Sequence, residues 1–251
     1  YFKLMTTWML FDSSLEAEFG SMARAVEQTG QEINANWMSR LTKVDCAGKA
    51  YFVKVYASRG RGLRGWLGRS RLRAEWENIR LFHSLGIATV KIVACGEELW
   101  PEYIGAMVTE GRSEAFDLAF LARGNHSALS NKRWRLRVIR RLSGSIRTLH
   151  AARFVHNDLK WRNILVELPT ENNEVEPGVY LIDCPMGSKK CGVMLKRGII
   201  KDLACLDKVA KLSLSRTDRL RFYLGYVSRK RLRNNDKVKI RKVLHFFKGR
   251  D

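Results

Sequence analysis

The sequence predicts an α+β fold of two lobes: a small, antiparallel β-rich first lobe with one helix, and a larger, mainly helical second lobe. Three observations predict it. Short β-prone runs separated by turn signals fill residues 37–109; helical periodicity dominates after Glu110; and 251 residues, 45% of them hydrophobic, suffice for a sizeable core. The expected divisions are 1–28 for an N-terminal lead with a possible short helix, 29–110 for the first lobe and 111–251 for the second. The lobes are expected to meet near Glu110.

Residues 12–28 mix acids with apolar residues in a weak helical pattern. Residues 37–44 and 50–56 read as strands joined by the tight-turn signal Asp45-Cys46-Ala47-Gly48-Lys49. A Gly- and Arg-rich loop over 59–69 then runs into a helix whose face is marked by Leu72, Trp76, Ile79, Phe82 and Leu85, and which Gly86 stops. Residues 87–96 and 104–109 complete a sheet of four or five strands. Beyond Glu110, residues 134–149 form an amphipathic basic helix with Val138, Leu142, Ile146 and Leu149 along one side. Two short apolar runs, 164–166 and 179–182, flank the polar insert 169–178 and read as a hairpin with a long tip. From Lys201 onward the chain is helical and increasingly basic, residues 216–250 holding thirteen Lys or Arg against two Asp.

Charge narrows the partners without choosing one. The chain has 46 Lys and Arg against 25 Asp and Glu, a net +21, which implies nucleic acid, a membrane surface or a phosphorylated small molecule. The five cysteines are scattered, with no C-x-x-C pair and no His cluster at zinc-ligand spacing, as expected of reduced thiols in a cytoplasmic protein. No uncharged apolar run approaches the roughly 18 residues that cross a bilayer, and no cleavable leader is evident, so a soluble or peripheral protein is expected.

The most informative stretch is His156-Asn157-Asp158-Leu159-Lys160-Trp161-Arg162-Asn163, which fits the H-x-D-x-x-x-x-N spacing of kinase catalytic loops. Asp158 would accept or orient the proton of an attacking hydroxyl, and the Asn163 amide would turn back to a metal on the nucleotide phosphates. Lys160 would neutralise charge on the transferring phosphoryl group. On the bland alternative Asp158 is a turn residue and Asn163 a cap. Three further parts in the right order weigh against that. Asp183 ends the apolar strand Leu181-Ile182, where Mg2+ bridging the phosphates would be chelated, although Cys184-Pro185 replaces the usual Phe-Gly. Lys54 lies within Tyr51-Phe52-Val53-Lys54-Val55-Tyr56, where a charge needs an anion unless the strand is half-exposed and the lysine merely solvated. Glu75, on the following helix, is the expected partner of Lys54, with Glu77 its rival.

Together with residues 51–56, 63–69, 73–78, 85–90, 156–163, 181–183, 201–208 and 215–224, this order resembles the bacterial lipopolysaccharide kinase family. These are atypical, protein-kinase-like enzymes that phosphorylate heptose or 3-deoxy-octulosonic acid in the lipopolysaccharide inner core. The resemblance implies a bilobal protein-kinase-like fold, ATP and Mg2+ as cofactors, and a sugar hydroxyl, heptose first, as acceptor. It implies Asp158 as base, Lys160 on the transferred phosphate, Asn163 and Asp183 on the metal, and Lys54 paired with Glu75 to align the phosphates. Residues 107–110 would be the hinge, with backbone groups of Glu110 and its neighbours on adenine, and Asp202 would brace the catalytic loop. No G-x-G-x-x-G precedes Lys54, so the phosphate-covering turn must come from about residues 31–37, with Arg40 a further candidate contact. No A-P-E-like end to an activation segment is present.

The function this implies is ATP-dependent phosphorylation of a lipopolysaccharide core sugar during outer-membrane glycolipid biosynthesis in a Gram-negative bacterium. The acceptor, a lipid A-core glycolipid, would be reached from the cytoplasmic face of the inner membrane. Residues 59–73 and 216–250 would attract anionic lipid headgroups. Two alternatives stand beside it. One is an atypical Ser/Thr/Tyr protein kinase of the same fold; the other is a basic membrane- or nucleic-acid-binding pseudokinase, disfavoured by intact candidates for every catalytic role. Nucleic acid is further disfavoured by the lack of any recognised motif, and cationic aminoglycosides by the basic charge.

Overall fold

The computed structural model describes residues 8–46, 48–60, 68–99, 102–112, 114–169 and 175–249. Residues 1–7 of the lead, Ala47 of the first turn, residues 61–67 of the Gly- and Arg-rich loop and residues 170–174 of the polar insert lie outside the described residues. The chain forms two compact units, one of Tyr1–Asn78 with Val90–Ser113, the other of Ile79–Thr89 with Glu114–Asp251.

The first unit is an antiparallel sheet of six strands, β1 (Met9–Leu10), β2 (Gln31–Asn36), β3 (Ser39–Cys46), β4 (Lys49–Tyr56), β5 (Ile92–Glu98) and β6 (Ile104–Glu110), in the order β1-β5-β6-β4-β3-β2. Its helices are α1 (Glu16–Phe19), α2 (Met22–Glu27) and the larger part of α3 (Arg71–Ser84). Strand alternation gives the sheet two different faces. On one, Val44, Tyr51, Val53 and Val108 pack with Leu15, Phe19 and Ala25 from the N-terminal segment. The described residues of the supposed lead thus contribute to this core, and β1 pairs with β5 through Met9 and Cys95. On the other face Lys54 stands opposite Leu41 and Met107.

Two elements differ from expectation for identifiable reasons. β2 is exposed along its whole length, so it has no apolar alternation by which to be recognised. Backbone pairing to β3 and the Asn36 side chain, which accepts from the N–H of Met38 at 2.9 Å and of Ser39 at 3.2 Å, hold its hairpin instead. Residues 87–89, expected to begin a strand, belong to the second unit: Ile87 is in its core, and the Ala88 carbonyl accepts from the Leu181 N–H at 3.0 Å. β5 starts only at Ile92.

The second unit holds β7 (Ala115–Asp117), α4 (Leu118–Arg123), α5 (Lys132–Ala151), β8 (Phe154–Val155), β9 (Ile164–Glu167), β10 (Val179–Leu181), β11 (Ser188–Lys189), α6 (Gly192–Ser213), α7 (Arg216–Val227) and α8 (Asn234–His245). The apolar side of α5 is buried as its periodicity predicts, with Val138, Leu142, Ile146 and Leu149 in the core. β9 and β10 form the expected hairpin, and β7 adds a third strand. β11 pairs with β8. α6 lies close to β8 because residue 198 is glycine: a Cβ there would come within 2.7 Å of the Val155 side chain. That approach brings Asp202 beneath the loop that follows β8.

Candidate active site

In the first unit β4 and α3 position one ion pair. Lys54 Nζ meets both carboxylate oxygens of Glu75, at 2.8 and 3.1 Å, and the Tyr56 hydroxyl donates to Glu75 at 2.7 Å. Glu75 and Tyr56 are buried, whereas Lys54 keeps some exposure. A buried carboxylate needs such partners, and two of them hold Glu75 in one rotamer. Tyr56 lies two residues beyond Lys54 on the same strand face, and Lys54 Nζ stands 5.3 Å from its ring centroid. Glu77 is engaged elsewhere, by Arg69 and by Arg73 at 3.0 Å.

Two expected nucleotide contacts look different in the structure. Arg40 is exposed and stands opposite Val55 in the β3–β4 register, whereas Leu41 stands opposite Lys54. Arg40 therefore projects from the other face of the sheet, and the structure does not bring it to Lys54. The N–H of Glu110 donates to the Lys91 carbonyl at 2.9 Å and that of Gly111 to the Ala50 carbonyl at 2.7 Å, which leaves neither N–H for a base. The Glu110 carboxylate pairs with Lys91 at 3.6 Å and Lys49 at 3.9 Å.

In the second unit the loop after β8 gathers the other predicted residues. Lys160 Nζ lies 2.7 Å from one carboxylate oxygen of Asp158, and Arg162 lies 3.7 Å from the other. The Asn163 amide nitrogen donates to the Asp158 carbonyl at 2.8 Å and approaches its carboxylate at 3.3 Å. That bond aims the amide oxygen of Asn163 away from Asp158, the orientation a metal ligand requires. The Asn163 carbonyl in turn accepts from the Ile182 N–H at 3.0 Å, which sets Asp183 beside it. Asp183 takes a left-handed backbone with φ 52°, a conformation that Asp tolerates better than most residues.

Beneath the loop, Asp202 is fully buried and accepts from the N–H of His156 at 2.7 Å and of Asn157 at 2.9 Å. Its third partner is His150 Nε2 at 3.3 Å, and His150 Nδ1 meets the Tyr226 hydroxyl at 2.9 Å. A Tyr226 O–H donated to Nδ1 leaves the imidazole proton on Nε2, aimed at the carboxylate. These bonds hold Asn157 at φ 66°, the left-handed step that presents Asp158. Trp161 completes the support by donating to the Leu206 carbonyl at 2.8 Å. Burial pushes the His156 imidazole below its ordinary pKa, so the ring, tilted against Phe82, is neutral.

The oxygen donors of Asn163 and Asp183 fit a hard divalent cation that takes its remaining ligands from phosphates and water. Among the described residues no group of three or more His, Cys, Asp or Glu forms a cage for a metal. Sequence reasoning missed Tyr56, Arg162, His150 and Tyr226. Only two of these carried a signal: Tyr56 by its two-residue spacing from Lys54, and Arg162 by its position four residues beyond Asp158.

The lipopolysaccharide core heptose(I) kinase WaaP of Pseudomonas aeruginosa is 26% identical over 199 residues, covering 76% of this chain and 74% of that protein. A solved structure of WaaP in complex with acyl carrier protein has a TM-score of 0.71 at 23% identity, covering 96% of both chains, which shows the fold. The model of the lipopolysaccharide kinase (Kdo/WaaP) family matches residues 20–226. With most of its length matched by that model, the chain belongs to the lipopolysaccharide kinase (Kdo/WaaP) family and is a phosphotransferase acting on a sugar hydroxyl.

Proposed function

We propose that this protein transfers the γ-phosphate of ATP to a heptose hydroxyl of the lipopolysaccharide inner core, with Mg2+ as the metal. The observation that carries this is the gathering of Asp158, Lys160, Asn163 and Asp183 on one loop and the adjoining strand end, in a member of this family. When bound, ATP and Mg2+ supply the phosphoryl group and neutralise its charge. Asp158 orients the acceptor hydroxyl and takes its proton, while Lys160 and Arg162 offer positive charge beside it. Asn163 and Asp183 hold the metal through oxygen, and Lys54, fixed by Glu75 and Tyr56, holds the nucleotide phosphates. The test is phosphate transfer from ATP to core oligosaccharide lacking heptose phosphate, with mass spectrometry locating the new ester. Absence of transfer in the presence of Mg2+, or an ester on another sugar, would overturn the assignment.

The acceptor is a membrane glycolipid, and the protein works at the cytoplasmic face of the inner membrane as a peripheral enzyme. The net charge of +21 supports this, and among the described residues no helix is long and apolar enough to cross a membrane. A carrier-protein partner is a second element of the proposal. The second unit contains an apolar cavity of about 490 Å³, lined among others by Leu129, Val138, Leu142, Leu206 and Ile240, with Arg135, Arg216 and Arg219 also on its wall. Arg135 and Arg219 are held by Asp218 at 3.1 Å and by Asp207 at 2.7 Å, whereas Arg216 is exposed; a carrier bearing an acyl chain matches the apolar lining, with a carboxylate of its own for Arg216, and the structural relative was solved with acyl carrier protein. Titration with acylated and unacylated acyl carrier protein tests it; equal affinity for the two forms would exclude the cavity as the acyl site.

A further inference from the structure

The segment that follows Asp183 carries a surface feature that phosphoryl transfer does not use. Residues 184–201 contain Lys189, Lys190, Lys196, Arg197 and Lys201 and no carboxylate. Among the described residues none of these five side chains forms an ion pair. Between them stands the first turn of α6, where Val193 and Met194 are 79% and 70% exposed. Met186, just before β11, is 49% exposed. The close seating of Gly198 on Val155 fixes the inner side of this helix, so Val193, Met194, Lys196 and Arg197 are held outward in water.

Large apolar side chains held out by a packed helix, among unmatched cations, are what a shallow anchor on an anionic bilayer requires. The apolar tips enter the headgroup boundary and the cations pair with lipid phosphates. Four of the five cations are lysines, which protein–protein interfaces disfavour and which, on long flexible stems, suit mobile headgroups. We propose that residues 186–201 form the membrane-docking edge of the second unit, with Val193 and Met194 inserted into an anionic bilayer. This deepens, and rests on, the proposal that the acceptor is a membrane glycolipid. The edge is tied directly to the catalytic loop: the Asn157 side chain donates to the Met186 carbonyl at 2.8 Å, and β11 pairs with β8. Docking there would keep Asp158 at the height of sugars projecting from the bilayer.

The test uses the full chain and sedimentation with vesicles of phosphatidylcholine, with and without about one-third phosphatidylglycerol, at physiological salt. Wild type should prefer the anionic vesicles. Lys196→Gln with Arg197→Gln should weaken binding about 25-fold, roughly fivefold for each charge near the surface. Val193→Ser with Met194→Ser should weaken it about tenfold or more through lost apolar insertion. An environment-sensitive dye on the exposed Cys191, with Cys46→Ser to leave it the accessible thiol, should shift to the blue on anionic vesicles and lose that shift in the Val193→Ser/Met194→Ser variant. Unchanged vesicle affinity in both double variants would overturn the proposal, as would a dye shift caused by acyl carrier protein but not by vesicles. Transfer to water-soluble core oligosaccharide should be unchanged in both. If wild type fails that transfer while the vesicle results hold, the kinase assignment falls and the docking edge stands.

Discussion

Replacing Asp202 by Asn changes one atom at the base of the loop after β8, which holds the candidate site residues, and nothing of its shape. One carboxylate oxygen accepts from His156 N–H at 2.7 Å and faces His150 Nε2 at 3.3 Å, and the other accepts from Asn157 N–H at 2.9 Å. In Asp202→Asn one of these positions becomes an NH2 that cannot accept. The less costly orientation leaves the Asn157 N–H unsatisfied in the interior, at about 1–3 kcal/mol. The two bonds that remain lose their ionic acceptor and about half their strength, roughly 1 kcal/mol each. The sum, about 3–5 kcal/mol, is a large part of the stability of a typical domain, about 5–15 kcal/mol. Asn157 is also the left-handed step before Asp158, so a displacement of the order of 1 Å there should lower kcat about 100-fold. Urea unfolding followed by far-UV circular dichroism measures the first effect, and steady-state transfer to core oligosaccharide the second. An Asp202→Asn protein with wild-type midpoint and wild-type kcat would refute the reasoning, because the buried carboxylate would then carry neither the loop nor the fold.

Three further outcomes are expected. Asp158→Ala should lower phosphoryl transfer by about 10²–10⁴-fold while ATP affinity, measured by calorimetry, stays within a few-fold of wild type. Lys54→Met takes the Lys54 cation from the buried Glu75, which keeps the Tyr56 hydroxyl, and should destabilise by about 3–5 kcal/mol and raise KM for ATP; the double change Lys54→Met/Glu75→Gln should recover much of the stability but not the KM. Burial holds the His156 pKa below the ordinary 6.5, so below that pH the unfolded chain binds the proton that the folded protein refuses. Stability from this group is present above pH 6.5 and is lost as pH falls, by up to about 1.4 kcal/mol per unit, and His156→Leu should flatten that part of a plot of urea midpoint against pH.

Much of the candidate site was legible because it is local. The loop from His156 to Asn163 folds on itself, so residue types at fixed spacing already specify that the Asn163 amide returns to Asp158. Lys54 and Glu75 were legible as types on a strand and a helix, but Glu75 and Glu77 are separated only by the rotation of α3, which tertiary packing sets. Arg40 shows the converse limit. Its place beside the turn suggested a phosphate contact, and the register with Val55 turns it to the other face. His150 and Tyr226 were invisible because they lie 76 residues apart and meet only when α5 packs on α7. β2 escaped for another reason, since a strand exposed along its length has no apolar period to read.

The sequence by itself determined the fold class, the order of the candidate site residues and the family, because periodicity, loop spacing and charge are properties of neighbours along the chain. Tertiary structure decided which carboxylate meets Lys54, how Asp202 is braced, and that the residues after Asp183 present Val193 and Met194 among cations that pair with nothing in the described chain. Each of these depends on which face of a helix or strand is buried. That choice is made by packing against residues distant in sequence, as where Gly198 of α6 meets Val155 of β8.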